Sequence, residues 1–248
     1  MAFSQAQLQA FRGGTLPDQI PRHLRLLFVG INPGLLTIAV QAHFARRGNR
    51  FYPALFRAGI TDHLIDASTG LAPADAEQLD ERGIGITSIV PLATARADEL
   101  TPPQLREGGV ALRGHVERWR PAVVAFLGIT AYRIAFDAPA AQVGRQRDDW
   151  GPSQIWVVPN PSGLNAHASL TDLASAYRET AVAAGIEPFP APDTGRRGSE
   201  VRRRESYKSS RLMSDTGRVD RCMGERCPQG AHKREEMIRH AVSGIRNR

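Results

Sequence analysis

Leu24–Gly34 reads LRLLFVGINPG. Its first half is a run of branched and aromatic residues, which reads as a buried strand. Its second half breaks that run with two glycines, an asparagine and a proline. Gly30 and Gly34 permit a sharp turn and a close approach of ligand to backbone. Pro33 fixes its own φ and biases Asn32 towards an extended conformation. An amide side chain is thereby presented where the strand stops. The alternative reading of these residues is a polar turn in which Asn32 satisfies local backbone.

Three more apolar runs follow: Ile84–Val90 (IGITSIV), Ala122–Leu127 (AVVAFL) and Gln154–Pro159 (QIWVVP). Each ends in glycine, proline or polar residues, and each reads as a strand. Helical patterns lie between them. Asn49–Ala58 follows a basic loop. Pro73–Arg82 starts with proline and acidic residues. Thr101–Trp119 opens Thr-Pro-Pro and carries Leu105, Val110, Leu112 and Val116 at helical spacing. Ser169–Ala184 opens with Ser169 or Thr171 as a cap and Asp172 in its first turn. Strands alternating with helices predict a mainly parallel sheet of four strands between two helical layers. Ligands of such sheets bind beyond the carboxyl ends of the strands.

One further motif falls where that rule points, and another lies in the basic loop between the first strand and the helix read over 49–58. Asn160–Asn165 (NPSGLN) directly follows the fourth run. Leu164 is apolar in a stretch that reads as loop; it is either a wedge for a base stack or a cover for the core. Phe44–Tyr52 (FARRGNRFY) interleaves Arg46, Arg47 and Arg50 with three aromatics. Cations hold phosphates and an aromatic face stacks on a base. The other reading is a solvated basic loop, with Phe51 and Tyr52 in the core of the helix that follows.

Composition narrows the function. The chain has 248 residues, 42% of them apolar, enough for one large domain or a domain with a tail. No apolar run reaches the roughly 18 residues of a membrane span. The opening MAFSQAQLQAFRGG lacks a basic region followed by an apolar one, so no secretory signal is expected. Two cysteines exclude a disulfide scaffold, and a reducing cytoplasm is the expected compartment. Net charge is +7, and the excess is uneven. Residues 1–186 hold 17 Arg against 16 acidic residues; residues 187–248 hold 15 Lys or Arg against 9. Only Lys208 and Lys233 are lysines; arginine suits bidentate phosphate contacts, although codon bias gives the same composition. EPFPAPD at 187–193 reads as a linker, and the mixture beyond it as a disordered basic tail that adds nonspecific DNA affinity. A short helix is expected over 233–242. Cys222, Cys227, His232 and His240 are spaced too loosely for a usual zinc site, so two free thiols and no metal are expected.

GINPGL at 30–35, Phe44, the GNRF of 48–51 and PNPSGL at 159–164 together resemble the bacterial mismatch-specific uracil/thymine-DNA glycosylases. The similarity runs in order from about Leu24 to Ala184. It implies a three-layer α/β/α sandwich and an enzyme that flips uracil from duplex DNA and hydrolyses its N-glycosidic bond. No metal or redox cofactor is implied, and no lysine nucleophile for strand cleavage. Asn32 would position the attacking water. Ile31, Gly34, Phe44 and Asn160 would hold the base, with Phe44 stacked on it. Gly163, Leu164 and Asn165 would form the wedge and mismatch contact; Arg46, Arg47, Arg50 and Ser162 would meet phosphate. Three places depart from the family pattern, of which Leu35-Leu36-Thr37, in place of a more hydroxyl-rich stretch, bears on thymine access. Ser88 stands where many members carry a lysine, and Ala166 where the wedge carries an arginine, with Asn165 or His167 as its substitute. These two bear on mismatch specificity, not on glycosylase chemistry.

The expected organisation is a lead-in with a helix over 1–23, a glycosylase-like domain over 24–186 and the tail over 187–248. The expected partner is double-stranded DNA containing uracil or a mismatch, bound by a monomer, with no membrane. A broad uracil glycosylase acting on A:U pairs and single strands is the alternative, as is a mismatch-binding protein with little turnover. A dinucleotide-binding enzyme is disfavoured, because Gly30–Gly34 lacks the G-x-G-x-x-G spacing.

Overall fold

The computed structural model describes residues 3–190, apart from 164, 166 and 167. Leu164, Ala166, His167, the tail cysteines and the helix expected over 233–242 lie outside the described residues. All four predicted strands form: β1 (Leu26–Gly30), β2 (Ile84–Ser88), β3 (Val123–Leu127) and, after a short additional strand β4 (Gly144–Arg145), β5 (Gln154–Val158). The order across the sheet is β2-β1-β3-β5-β4. The first four are parallel; β4 runs antiparallel to β5 at the edge. The expected count of four is thus corrected to five. A two-residue strand has no hydrophobic run to announce it.

Seven helices complete the described fold: α1 (Gln5–Gln9), α2 (Leu35–Val40), α3 (Phe51–Arg57), α4 (Pro73–Glu81), α5 (Pro102–Trp119), α6 (Ile129–Ala135) and α7 (Leu170–Ala183). Strand residues alternate between two cores, as the two-residue period requires. Leu26, Phe28, Ile84, Ile86, Val123 and Ala125 meet α3, α4 and α7 on one face. Leu27, Val29, Val124, Phe126, Ile155 and Val157 meet α5 and α6 on the other. Full burial of such side chains contributes about 1.5–3 kcal/mol each. α5 and α7 open on capping boxes: Thr101 with Gln104, and Ser169 with Asp172. Among the described residues no helix is long and apolar enough to cross a membrane.

The N-terminal residues are bound into the domain. Gln19 and Ile86 exchange backbone hydrogen bonds at 2.9 and 2.8 Å, and Gly13 and Gly14 bracket Ala93. At the other end Phe189 N donates to Gly59 O, and the Arg82 guanidinium lies 4.3 Å from the centre of the Phe189 ring. The first residues of the Pro-rich stretch are therefore docked on the domain.

Helix α5 corrects one expected core position. Val110 is 76% exposed. The buried stripe is Leu105, Gly109, Leu112 and Val116, and Val110 stands one residue out of phase with it. Gly109 lets α5 touch α6, since a Cβ there would lie 2.6 Å from the Ala135 carbonyl oxygen. Gly114, on the open side, would meet nothing within 4 Å. In both variants alanine raises helix propensity by about 0.5–1 kcal/mol. Gly114→Ala is accordingly expected to raise the urea midpoint. Gly109→Ala is expected to lower it, because the clash costs about 1–3 kcal/mol; equal midpoints would contradict the close α5–α6 approach.

Candidate active site

The strand order reverses around β1, with β2 on one side and β3 on the other. In open α/β sheets the binding crevice lies at that reversal, outside the carboxyl ends. There the segments after β1, β2 and β5, with Leu127 at the end of β3, line a cavity of about 310 Å³, at the lower end of the usual range of about 300–1,000 Å³ for ligand pockets. Asn32, Phe44, Asn49, Ser88, Thr94 and Asn160 line it. A larger groove of about 1130 Å³ lies away from the strand ends, between α5, α6 and the β4–β5 segment. Two of its charged groups, Arg145 and Asp149, are paired with each other.

Asn32 is held by its nitrogen. Nδ2 donates to Thr94 Oγ1 at 2.8 Å and to the Pro33 and Leu92 carbonyl oxygens at 3.1 Å each. The Thr94 hydroxyl donates its own proton to Arg96 O at 2.7 Å, so towards Asn32 it only accepts. Three acceptors therefore fix which end of the amide faces them. Oδ1 has no hydrogen bond among the described residues. Asn32 is a half-buried residue lining the cavity, and its carbonyl oxygen is an acceptor suited to a water molecule. It cannot take that water's proton as a carboxylate can.

Phe44 occupies a left-handed backbone conformation, φ 56°, which costs a bulky L-residue about 1–2 kcal/mol. Its ring stacks on Phe51, centroids 4.0 Å apart and planes 27° apart. One face is thus covered from below while the residue lines the cavity. A Cβ on Gly30 would touch the Phe44 ring at 3.5 Å, and one on Gly34 would meet open space. Neither glycine has positive φ, so the sharp turn expected of them is not made by left-handed backbone. Ile31 and Gly34 both line the cavity. His43, the neighbour of Phe44, is buried with Nε2 3.3 Å from Pro17 O. A carbonyl only accepts, so Nε2 carries the proton; burial pushes the imidazole pKa below 6.5 and keeps it neutral.

Asn160 is oriented the opposite way to Asn32. Its Oδ1 accepts from Ser162 N at 2.8 Å, which leaves Nδ2 as a donor. Gly128, at φ 126°, makes room for it: a Cβ there would approach Nδ2 to 3.3 Å. Asn49 repeats the arrangement, its Oδ1 accepting from Phe51 N. The loop after β5 is braced from within, with Asn165 Nδ2 donating to Asn160 O. Gly163 permits a close crossing, since a Cβ would stand 2.7 Å from Gly48 O.

Arg50, expected at phosphate, has its guanidinium committed to backbone. Nη1 donates to Ala168 O at 2.5 Å, and Nη2 to Ser162 O and Asn165 O at 3.0 and 2.8 Å. Its own N–H donates to Pro161 O. Arg50 thereby ties the 44–50 loop to the 160–168 loop. Arg46 and Arg47 are exposed, and Arg46 lines the cavity. Ser162 also lines it. Thr94 and Gly128 were not among the expected site residues. Gly128 was findable, because it directly follows a strand; Thr94 meets Asn32 across 62 positions and carries no local signal.

The fold and cavity define an α/β protein with a pocket at its strand ends, lined by neutral amides and an aromatic ring. The chain belongs to the uracil DNA glycosylase superfamily, whose sequence model matches residues 17–184. That membership supports N-glycosylase activity on uracil-containing DNA in general. The chain is also similar to the solution NMR structure of a candidate uracil DNA glycosylase from Methanosarcina acetivorans. Identity is 14% and the TM-score 0.47, over 68% of this chain and 98% of the other.

The two kinds of arginine are separable by salt. Arg46→Met is expected to lower the slope of log affinity against log salt for duplex DNA by about 0.9. Arg50→Met should leave that slope unchanged and lower stability by about 1–3 kcal/mol, because three carbonyls lose their donor. The reverse pattern in a salt titration would return Arg50 to the phosphate.

Proposed function

We propose that this protein is a monofunctional DNA glycosylase that flips uracil out of duplex DNA, preferentially from G:U mismatches. It hydrolyses the N-glycosidic bond and leaves an abasic site in base-excision repair. The observation that carries this reading is the cavity-lining Asn32 amide, locked by its nitrogen so that Oδ1 is kept as an acceptor.

In the proposed reaction a water held by Asn32 Oδ1 attacks the sugar C1′. The C1′–N1 bond breaks as the new C1′–O bond forms; the electron pair leaves with the base, and the water's proton passes to solvent and finally to the released uracil. Positive charge develops on the sugar and negative charge on uracil. Asn160 Nδ2 is an oriented donor for the base oxygen that receives this charge, and preorganised donors are among the largest catalytic terms. Phe44 stacks on the extruded base. Backbone N–H groups near Gly34 add to stabilisation of the anion. Leu164 fills the gap in the duplex and offsets part of the few kcal/mol that extrusion costs. Arg46 and Arg47 hold flanking phosphates, and Gly163 and Asn165 shape the loop that carries the wedge. The protein acts as a monomer in the cytoplasm.

Neutral groups at positions 32 and 160 make the chemistry slow. A general base or acid typically contributes about 10²–10⁴-fold, and neither amide supplies one. Selectivity then leans on how weakly the target base is paired, which favours a mismatch. The deciding experiment is single-turnover uracil release from G:U duplex, A:U duplex and single strands, with Asn32→Ala beside the wild type. Release from G:U alone is expected, and Asn32→Ala is expected to lose about 10²-fold or more with duplex affinity intact. Release from all three substrates would replace the mismatch reading with a broad uracil glycosylase. Binding without release would leave a mismatch-binding protein, and equal loss of binding and release in Asn32→Ala would remove the water-positioning role.

A further inference from the structure

We infer that Thr94 is a positioning residue for this reaction, acting through Asn32; the inference rests on the water-positioning role proposed above. Of the three acceptors around Asn32 Nδ2, the Thr94 hydroxyl is the nearest, at 2.8 Å, and the one supplied by a side chain. The amide has two hydrogens for three acceptors, so the two carbonyls at 3.1 Å share what the hydroxyl leaves. Thr94 is polarised for this task, since its proton is already committed to Arg96 O. A donor–acceptor chain therefore runs from Asn32 Nδ2 through Thr94 Oγ1 to the main chain of Arg96.

The segment that carries Thr94 is itself held in place. Thr94 N donates to Pro33 O at 3.3 Å, which joins it to the turn after β1. Gly13 N donates to Ala93 O, and Ala93 N to Gly14 O, each at 2.9 Å. Arg96 N donates to Glu99 Oε1 at 3.0 Å, and Glu99 pairs with Arg12. Residues 12–14 precede the stretch matched to the superfamily, yet they brace the loop that orients Asn32. Loss of the hydroxyl leaves the amide on the two longer contacts and widens the arc through which Oδ1 swings. The acceptor for water is then misplaced in a larger share of complexes, whereas the rest of the cavity lining and the DNA-facing arginines are untouched, and valine keeps the shape of the wall at position 94.

The test compares Thr94→Val and Thr94→Ser in the full chain. Single-turnover uracil release from G:U duplex is measured beside the dissociation constant for the same duplex carrying a non-cleavable uracil analogue. Valine keeps the shape and removes the hydroxyl; serine keeps the hydroxyl. Thr94→Val is expected to release uracil about tenfold more slowly, the effect of one lost hydrogen bond in the transition state, with the dissociation constant unchanged. Thr94→Ser is expected to recover most of that loss. Wild-type rate in Thr94→Val overturns the inference. So does an equal fall in both variants, or a loss of binding that matches the loss of rate, since each assigns Thr94 to loop structure alone. A wild type that binds but releases no uracil overturns the glycosylase reading and takes this inference with it. An active wild type with an inactive Asn32→Ala and an unaffected Thr94→Val overturns the inference alone.

Discussion

The in-register parallel pairing of β1 with both β2 and β3 sets the geometry of the site. Gly30 lies opposite Ser88, and Val29 lies between Thr87 and Phe126, so the chain leaves the sheet at one level on all three strands. The pairing with the β2 side continues past the strand ends, where Ile89 N donates to Gly30 O and Val90 N to Ile31 O. That extension carries the following segment alongside Pro33 and brings Thr94 to Asn32. Register is enforced by burial. β1 is buried on both faces, and a slip of one residue would exchange every side chain between the two cores.

The described residues of the loops at this end are held by contacts outside regular secondary structure. The segment after β5 has no helix or strand over 159–169 in its described residues, yet Arg50, Asn165 and the Gly48–Gly163 crossing hold it. A guanidinium suits this work because its planar fork reaches several carbonyls at once, which a lysine cannot do. Phe44 shows the same logic. Its left-handed backbone costs about 1–2 kcal/mol, and stacking on Phe51 returns about 0.5–1.5 kcal/mol beyond burial. The strain is thus largely met locally, and the ring is fixed at the cavity before any ligand arrives.

Much of this was legible in the sequence. The four long strands and the helices α3, α4, α5 and α7 follow from apolar period, proline and caps, with ends within two residues. Helix α2 was hidden because LLTIAV at 35–40 follows the turn directly and has no polar cap, its N-cap being Gly34. Helix α6 was hidden in the same way behind Gly128. At the cavity, Asn32 and Asn160 were findable because each stands in a short motif at a strand end; Phe44, in the loop between α2 and α3, was singled out by the family resemblance and not by its position. Arg50 was misleading. Its place in a basic, aromatic-rich loop suggests phosphate, and only the fold reveals three carbonyls within its reach. Thr94 was illegible because its meaning lies in a contact made by two strands being neighbours.

The opposed orientations of the two amides are the feature that links this geometry to chemistry. An amide carries a donor and an acceptor, and the fold consumes one end of each. Asn32 loses its donor end and keeps an acceptor; Asn160 loses its acceptor end and keeps a donor. In the proposed reaction the acceptor faces the water, which must be held by one of its hydrogens, and the donor faces the departing base, which gains negative charge. Had the fold oriented them the other way, Asn32 would offer a hydrogen to the oxygen that must attack, and Asn160 would set a lone pair against an anion. Ionisable groups at these positions would supply stronger chemistry, but their charge would depend on pH and on burial. Two neutral amides hold the same polarity at every pH at which the fold survives. On the proposed mechanism the pH dependence of the rate therefore belongs to other groups, the departing base and the cavity-lining His43 among them, and not to either of these side chains.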